Sequence, residues 1–63
     1  MEHYEYHTAG GKATLNRGDR KSLVALGQFE TESAARACCE NHYAKVRAFL
    51  LRMNKPVPQA FYL

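Results

Sequence analysis

From Thr31 to Asn54 the chain repeats its apolar side chains at helical spacing, and no other feature limits the fold as much. At about 100° per residue, Ala35, Cys38, Cys39, His42, Tyr43, Val46, Phe49, Leu50 and Met53 fall within an arc of ~140°, the broad stripe a helix turns toward a core. Thr31 suits the N-cap, because its hydroxyl can accept a hydrogen bond from a first-turn amide, and Glu32 complements the positive end of the dipole. Lys45, Arg47, Arg52 and Lys55 lie toward the other end, where Asn54 tolerates the left-handed conformation and Pro56 forbids continuation. One long helix over residues 31–54 is predicted.

Such a helix cannot hide its stripe alone, and what precedes it reads as strands. Tyr4-Glu5-Tyr6-His7-Thr8 is rich in strand formers, Gly10-Gly11 supplies a two-residue turn, and Lys12 to Leu15 returns as a second strand. Asn16-Arg17-Gly18-Asp19-Arg20 reads as a polar loop before a third strand from Ser22 to about Phe29. The fold class expected is α+β: a small antiparallel meander of two to three strands over residues 1–30, packed against one long C-terminal helix. Residues 55–63, with Val57, Ala60, Phe61, Tyr62 and Leu63, read either as an edge strand or as a free apolar tail. A chain of 63 residues makes a single domain, which hides only about 60% of the surface its unfolded form exposes.

That size leaves little room for a catalytic pocket, and the chemistry-bearing residues are sparse. Cys38 and His42 lie one helical turn apart, but along an extended strand His3 and His7 stand about 13 Å apart, too far to share one ion with them. Gly10-Gly11-Lys12-Ala13-Thr14 lacks the spacing of a phosphate loop, and Arg17-Gly18-Asp19 is read as a turn rather than an adhesion motif. No catalytic, metal or cofactor site is expected, and the chain is read as a non-enzyme. Met1-Glu2-His3-Tyr4-Glu5 has no export signal, no apolar run, Leu23 to Leu26 among them, exceeds four residues, and the adjacent Cys38 and Cys39 cannot build a disulfide framework. A cytoplasmic protein without a membrane partner is expected.

Two surfaces are candidates for binding. Opposite the core stripe, Ala37, Asn41, Ala44, Ala48 and Leu51 recur at spacings of four, three, four and three residues, a seam of mostly small side chains along which a protein partner, a host protein or a second copy, can approach. The same alanines also serve simply as good helix formers. The net charge of +3 is unevenly spread. If the helix turns back across the sheet, its C-terminal end meets the loop after the second strand, and Arg17, Arg20, Lys21, Lys45, Arg47 and Arg52 form a basic pole for an acidic protein or for the phosphates of a nucleic acid. Solvation and dipole complementation account for the same charges. Tyr4 and Tyr6 share a strand face, suited to stacking bases or to packing the sheet.

The stretch Leu26-Gly27-Gln28-Phe29-Glu30-Thr31-Glu32-Ser33-Ala34-Ala35 resembles a strand-to-helix pattern found in small accessory proteins of phages and prophages. The resemblance covers roughly residues 22–45 and implies a host-takeover role, since members of that group bind and inhibit host machinery. It carries over no functional residue. The reading that follows is a small non-catalytic protein-interaction module that binds or inhibits a host protein and forms homodimers through the seam; a nucleic-acid binder is the alternative.

Overall fold

A computed structural model describes residues 3–18 and 22–63. The elements are β1 (His3–His7), a 3₁₀ turn at Ala9–Gly11, β2 (Lys12–Arg17), β3 (Ser22–Gln28), α1 (Glu32–Arg52) and β4 (Gln59–Tyr62). The expected α+β arrangement of sheet and long helix is present, with one addition. β1, β2 and β3 form the antiparallel meander, and β4 joins β1 in parallel, giving a mixed four-stranded sheet in the order β3-β2-β1-β4. The C-terminal segment is therefore an edge strand, which α1 carries past two strands to reach.

The turn between β1 and β2 rests on two glycines with positive φ, Gly10 at 64° and Gly11 at 75°. They differ in surroundings. A side chain on Gly10 would meet open space, whereas a Cβ on Gly11 would run into the carbonyl oxygen of Phe29. That close approach lets the Phe29 amide donate to the Gly11 carbonyl at 2.8 Å and ties the entry of the helix to the hairpin.

Local chemistry sets both helix ends. Thr31 Oγ1 accepts from the Ala34 amide at 3.1 Å, and Glu32 occupies the first turn. At the far end the amides of Asn54 and Lys55 reach back to the carbonyls of Leu51 and Leu50, with Asn54 at φ 57°.

The core lies between the helix and one face of the sheet, where Tyr4, Tyr6, Ala13, Leu15, Ala35 and Cys39 are buried. Tyr4 and Tyr6 thus belong to the packed side, and a base-stacking role for them is excluded. Tyr6 is wholly enclosed and stacks on Tyr62 of β4 at 5.4 Å, with edge-on contacts to Tyr4, His42 and Tyr43.

Two expectations are corrected. Asn16 and Arg17 are not loop residues but extend β2, opposite Glu5 and Tyr4 of β1. The expected core stripe also fails toward its C-terminal end, where Phe49 is 59% and Met53 50% exposed. The reason is length: α1 has 21 residues and spans ~31 Å, whereas β3, the longest strand at seven residues, spans ~23 Å. The Tyr43 hydroxyl donates to the Pro58 carbonyl at 2.7 Å, so the chain leaving the helix doubles back to the level of Tyr43 before entering β4. The last turns of α1 overhang the sheet.

The contrast between the two glycines is measurable. Gly10→Ala is expected to cost about 1–2 kcal/mol, the left-handed backbone penalty alone, while Gly11→Ala adds a backbone collision and should lower the thermal midpoint clearly further.

Candidate functional site

A groove runs between one flank of α1 and the β2–β3 side of the sheet. Two adjoining clefts make it up, of about 460 and 400 Å³. Leu26, Phe29, Cys38 and Asn41 line the first, Tyr4, Arg17, Val46, Phe49 and Leu50 the second, and His42 and Lys45 stand where they meet. The walls are mainly apolar, and among the described residues no carboxylate lines either cleft.

His42 connects the groove to the core. Its Nδ1 lies 2.8 Å from the Tyr6 hydroxyl, the one hydrogen-bond partner of that hydroxyl among the described residues. The hydroxyl and Nδ1 share this one hydrogen bond, whose direction follows from the imidazole tautomer. Burial, followed by the positive charges of Arg17 and Lys45, holds His42 below its ordinary pKa of 6.5. The ring is therefore neutral at neutral pH. Burial also raises Tyr6 and Tyr62 above the usual phenol range and keeps the Cys39 thiol protonated.

The expected basic pole is gathered only in part. Arg17 and Lys45 share the groove wall, and the Arg17 guanidinium lies 5.7 Å from the centre of the Tyr4 ring, its Nε buried and without a hydrogen-bond partner among the described residues. Arg52 follows Lys45 by two helical turns on the same flank. Arg47, about 160° around the helix from Lys45, faces the β4 side instead. Arg20 and Lys21 lie outside the described residues.

The seam residues Ala37, Asn41, Ala44, Ala48 and Leu51 are all exposed, Leu51 at 54%. None of them is covered by the molecule's own sheet, and Asn41 also borders the groove. Next to them Arg36 pairs with Glu40 at 3.4 Å, an exposed i,i+4 contact that adds little stability. On the far side of the sheet His3 donates to Glu5 at 2.8 Å and meets the Phe61 ring edge-on.

Among the described residues no three His, Cys, Asp or Glu side chains gather in a way that would hold a metal ion, and no helix is long and apolar enough to cross a membrane. Cys38 and His42 share the groove without a third ligand. Sequence reasoning missed the groove itself, because Leu26 and Phe29 read as strand interior. The missed signal lies in β3, whose Leu23-Val24-Ala25-Leu26 run is apolar on both faces where a one-sided strand alternates. No family model, curated protein or solved structure matches the chain.

The buried imidazole gives the fold a defined pH response. Below 6.5 an unfolded chain takes up a proton on His42 that the folded chain resists, so stability falls as the pH drops through this value toward the lower folded one and is independent of His42 above it. The urea midpoint should drop between pH 7.5 and 5.5, and drop less in His42→Asn, whose side-chain oxygen can still accept from Tyr6.

Proposed function

We propose that the chain is a small non-catalytic protein-binding module that engages its partner through the outer face and overhanging end of α1. The observation that carries this reading is the exposure of Phe49, Leu51 and Met53, each at least half open to solvent, on opposite sides of the overhanging last turns of one helix. Large side chains grouped in this way mark contact surfaces more often than solvated ones. Ala44 and Ala48 beside Leu51 allow close approach of a second element, and Lys45, Arg47 and Arg52 bring positive charge to the same end of the helix. A partner with an apolar ridge and flanking carboxylates fits it. The strand-to-helix stretch, in its resemblance to phage accessory proteins, favours a host protein as the class of partner, bound in order to inhibit it in the cytoplasm.

A second reading is supported by Arg17 and Lys45 on one groove wall, where no carboxylate stands among the described residues: these cations, with Arg52 at the helix end, would contact phosphates. Salt separates the two. Phosphate contacts weaken steeply as salt rises, because each releases condensed counterions, whereas an apolar helix contact changes little.

The expected outcome is capture of a protein from host lysate that survives nuclease and moderate salt. It should be lost on Ala44→Glu/Ala48→Glu, a variant that keeps the wild-type circular dichroism because both positions are exposed. Capture that disappears with nuclease, together with salt-steep binding of a labelled duplex, would establish the second reading instead.

A further inference from the structure

The sheet has two open edges, and they differ. β4 is four residues long and follows Pro56 and Pro58, which bring no amide hydrogen to a ladder. β3 is the outermost strand on the other side, seven residues long, with neither a charge nor a proline from Ser22 to Gln28. Natural edge strands are usually protected by lysines, prolines, strong bulges or short length. Here the one interruption is the shift between Ala13 and Thr14, which leaves Leu26 as the extra residue and the ladder regular from Ser22 to Ala25.

The side chains of β3 tell the same story. Leu23 pairs with Asn16 and is 71% exposed on the open face of the sheet, while Val24 pairs with Leu15 on the helix side and is still 39% exposed. A strand apolar on both faces belongs inside a sheet rather than at its margin. The accessible surface of 4625 Å² also exceeds the ~4,100 Å² typical of a folded monomer of this mass. That excess, of about 500 Å², approaches the ~800 Å² that one partner of an ordinary stable complex covers.

We propose that β3 pairs antiparallel with β3 of a second copy, joining two sheets into one across a two-fold axis. Charge favours this occupant. Glu30 and Glu32 lie where β3 runs into α1, and Arg17 and Lys45 lie near the opposite end of the strand. Antiparallel pairing brings the acidic end of each copy toward the basic end of the other, twice by symmetry. The two helices then lie on the same face of the joined sheet and run in opposite directions, so their dipoles oppose. The helix flank carrying Cys38, Asn41 and Lys45 turns toward the partner, and the groove beside β3 is closed from outside. The outer helix face with Ala44, Ala48 and Leu51 remains free, so this pairing is separate from the contact proposed for a host protein.

Sedimentation equilibrium of the full chain across micromolar to near-millimolar concentrations tests the pairing. Twice the chain mass is expected at the upper end. Leu23→Lys, at an exposed open-face position that the fold does not need, should weaken association at least tenfold by setting like charges near the two-fold axis. Leu23→Glu should do the same alone, and an equimolar mixture of the two variants should recover a heterodimer in native mass spectrometry. A wild-type chain that stays monomeric throughout overturns the proposal. So does a dimer indifferent to Leu23→Lys, and if that dimer dissociates on Ala44→Glu/Ala48→Glu, the contact lies on the helix seam. Lysate capture by the Leu23→Lys variant should match wild type, which keeps the outcome independent of the host-partner reading.

Discussion

Burying a tyrosine completely imposes two conditions at once: the ring needs neighbours on its faces and edges, and the hydroxyl needs a partner to replace water. At position 6 both are met by elements distant in sequence. Tyr62 of β4 covers one face of the ring, Tyr4 and Tyr43 approach edge-on, and His42 of α1 takes the hydroxyl. Leaving that hydroxyl unpaired would cost about 1–3 kcal/mol, a large share of what so small a domain can hold. The position of the helix along the sheet is therefore set where His42 meets Tyr6, and that of β4 where Tyr62 covers the ring. The same contact explains the neutral His42, since a ring locked against a buried phenol and flanked by Arg17 and Lys45 resists a proton from each direction.

Fixing the helix at His42 decides what it leaves bare. The stretch from Ala35 to Val46 lies above the buried cluster, and the last turns run on past the ends of the strands. Sideways, the helix packs over β2 and the inner side of β3 while the long tyrosine rings of β1 reach in beneath it, so Val24 on the outermost strand is left partly in water. The groove, the exposed end of α1 and the bare margin of β3 are thus consequences of one placement. They share a character as well, because the core that would have absorbed their apolar side chains is already filled by tyrosine rings.

What is legible in the sequence follows the range of the interaction involved. Helix ends depend on neighbours a few residues away, so Thr31 and Asn54 mark them correctly. The meander is legible from its glycine turn and its alternation. Asn16 and Arg17 favour a loop by their own preferences, yet pairing with Glu5 and Tyr4 holds them in β2, and that pairing is decided by the partner strand. Periodicity tells which side chains share a side of a helix but not how far the opposing layer reaches, so Phe49 and Met53 read as core while lying beyond it. The two sequence-identified surfaces fare differently for the same reason. A seam on one helix is a local property and stays intact, whereas a basic pole assembled from two segments depends on which flank each cation faces, and Arg47 faces away from Lys45.

The length of α1 is the feature the fold itself does not require. A helix matched to the ~23 Å of β3 would need about 15 residues and would end near Val46, the last helical residue packed against the buried cluster. Stopping there would also shorten the return to β4, since the chain now travels out to Arg52 and back to the level of Tyr43, where Pro58 accepts from that side chain. The extra turns hold Phe49, Leu51 and Met53 in water, bury no side chain of the core cluster, and must be ordered at an entropic cost of roughly 1–2 kcal/mol per residue. Their own hydrogen bonds and the C-terminal cap offset part of that cost. The apolar side chains gain their full value only when another surface covers them, so the physics that makes these turns superfluous to the monomer makes them useful to a complex.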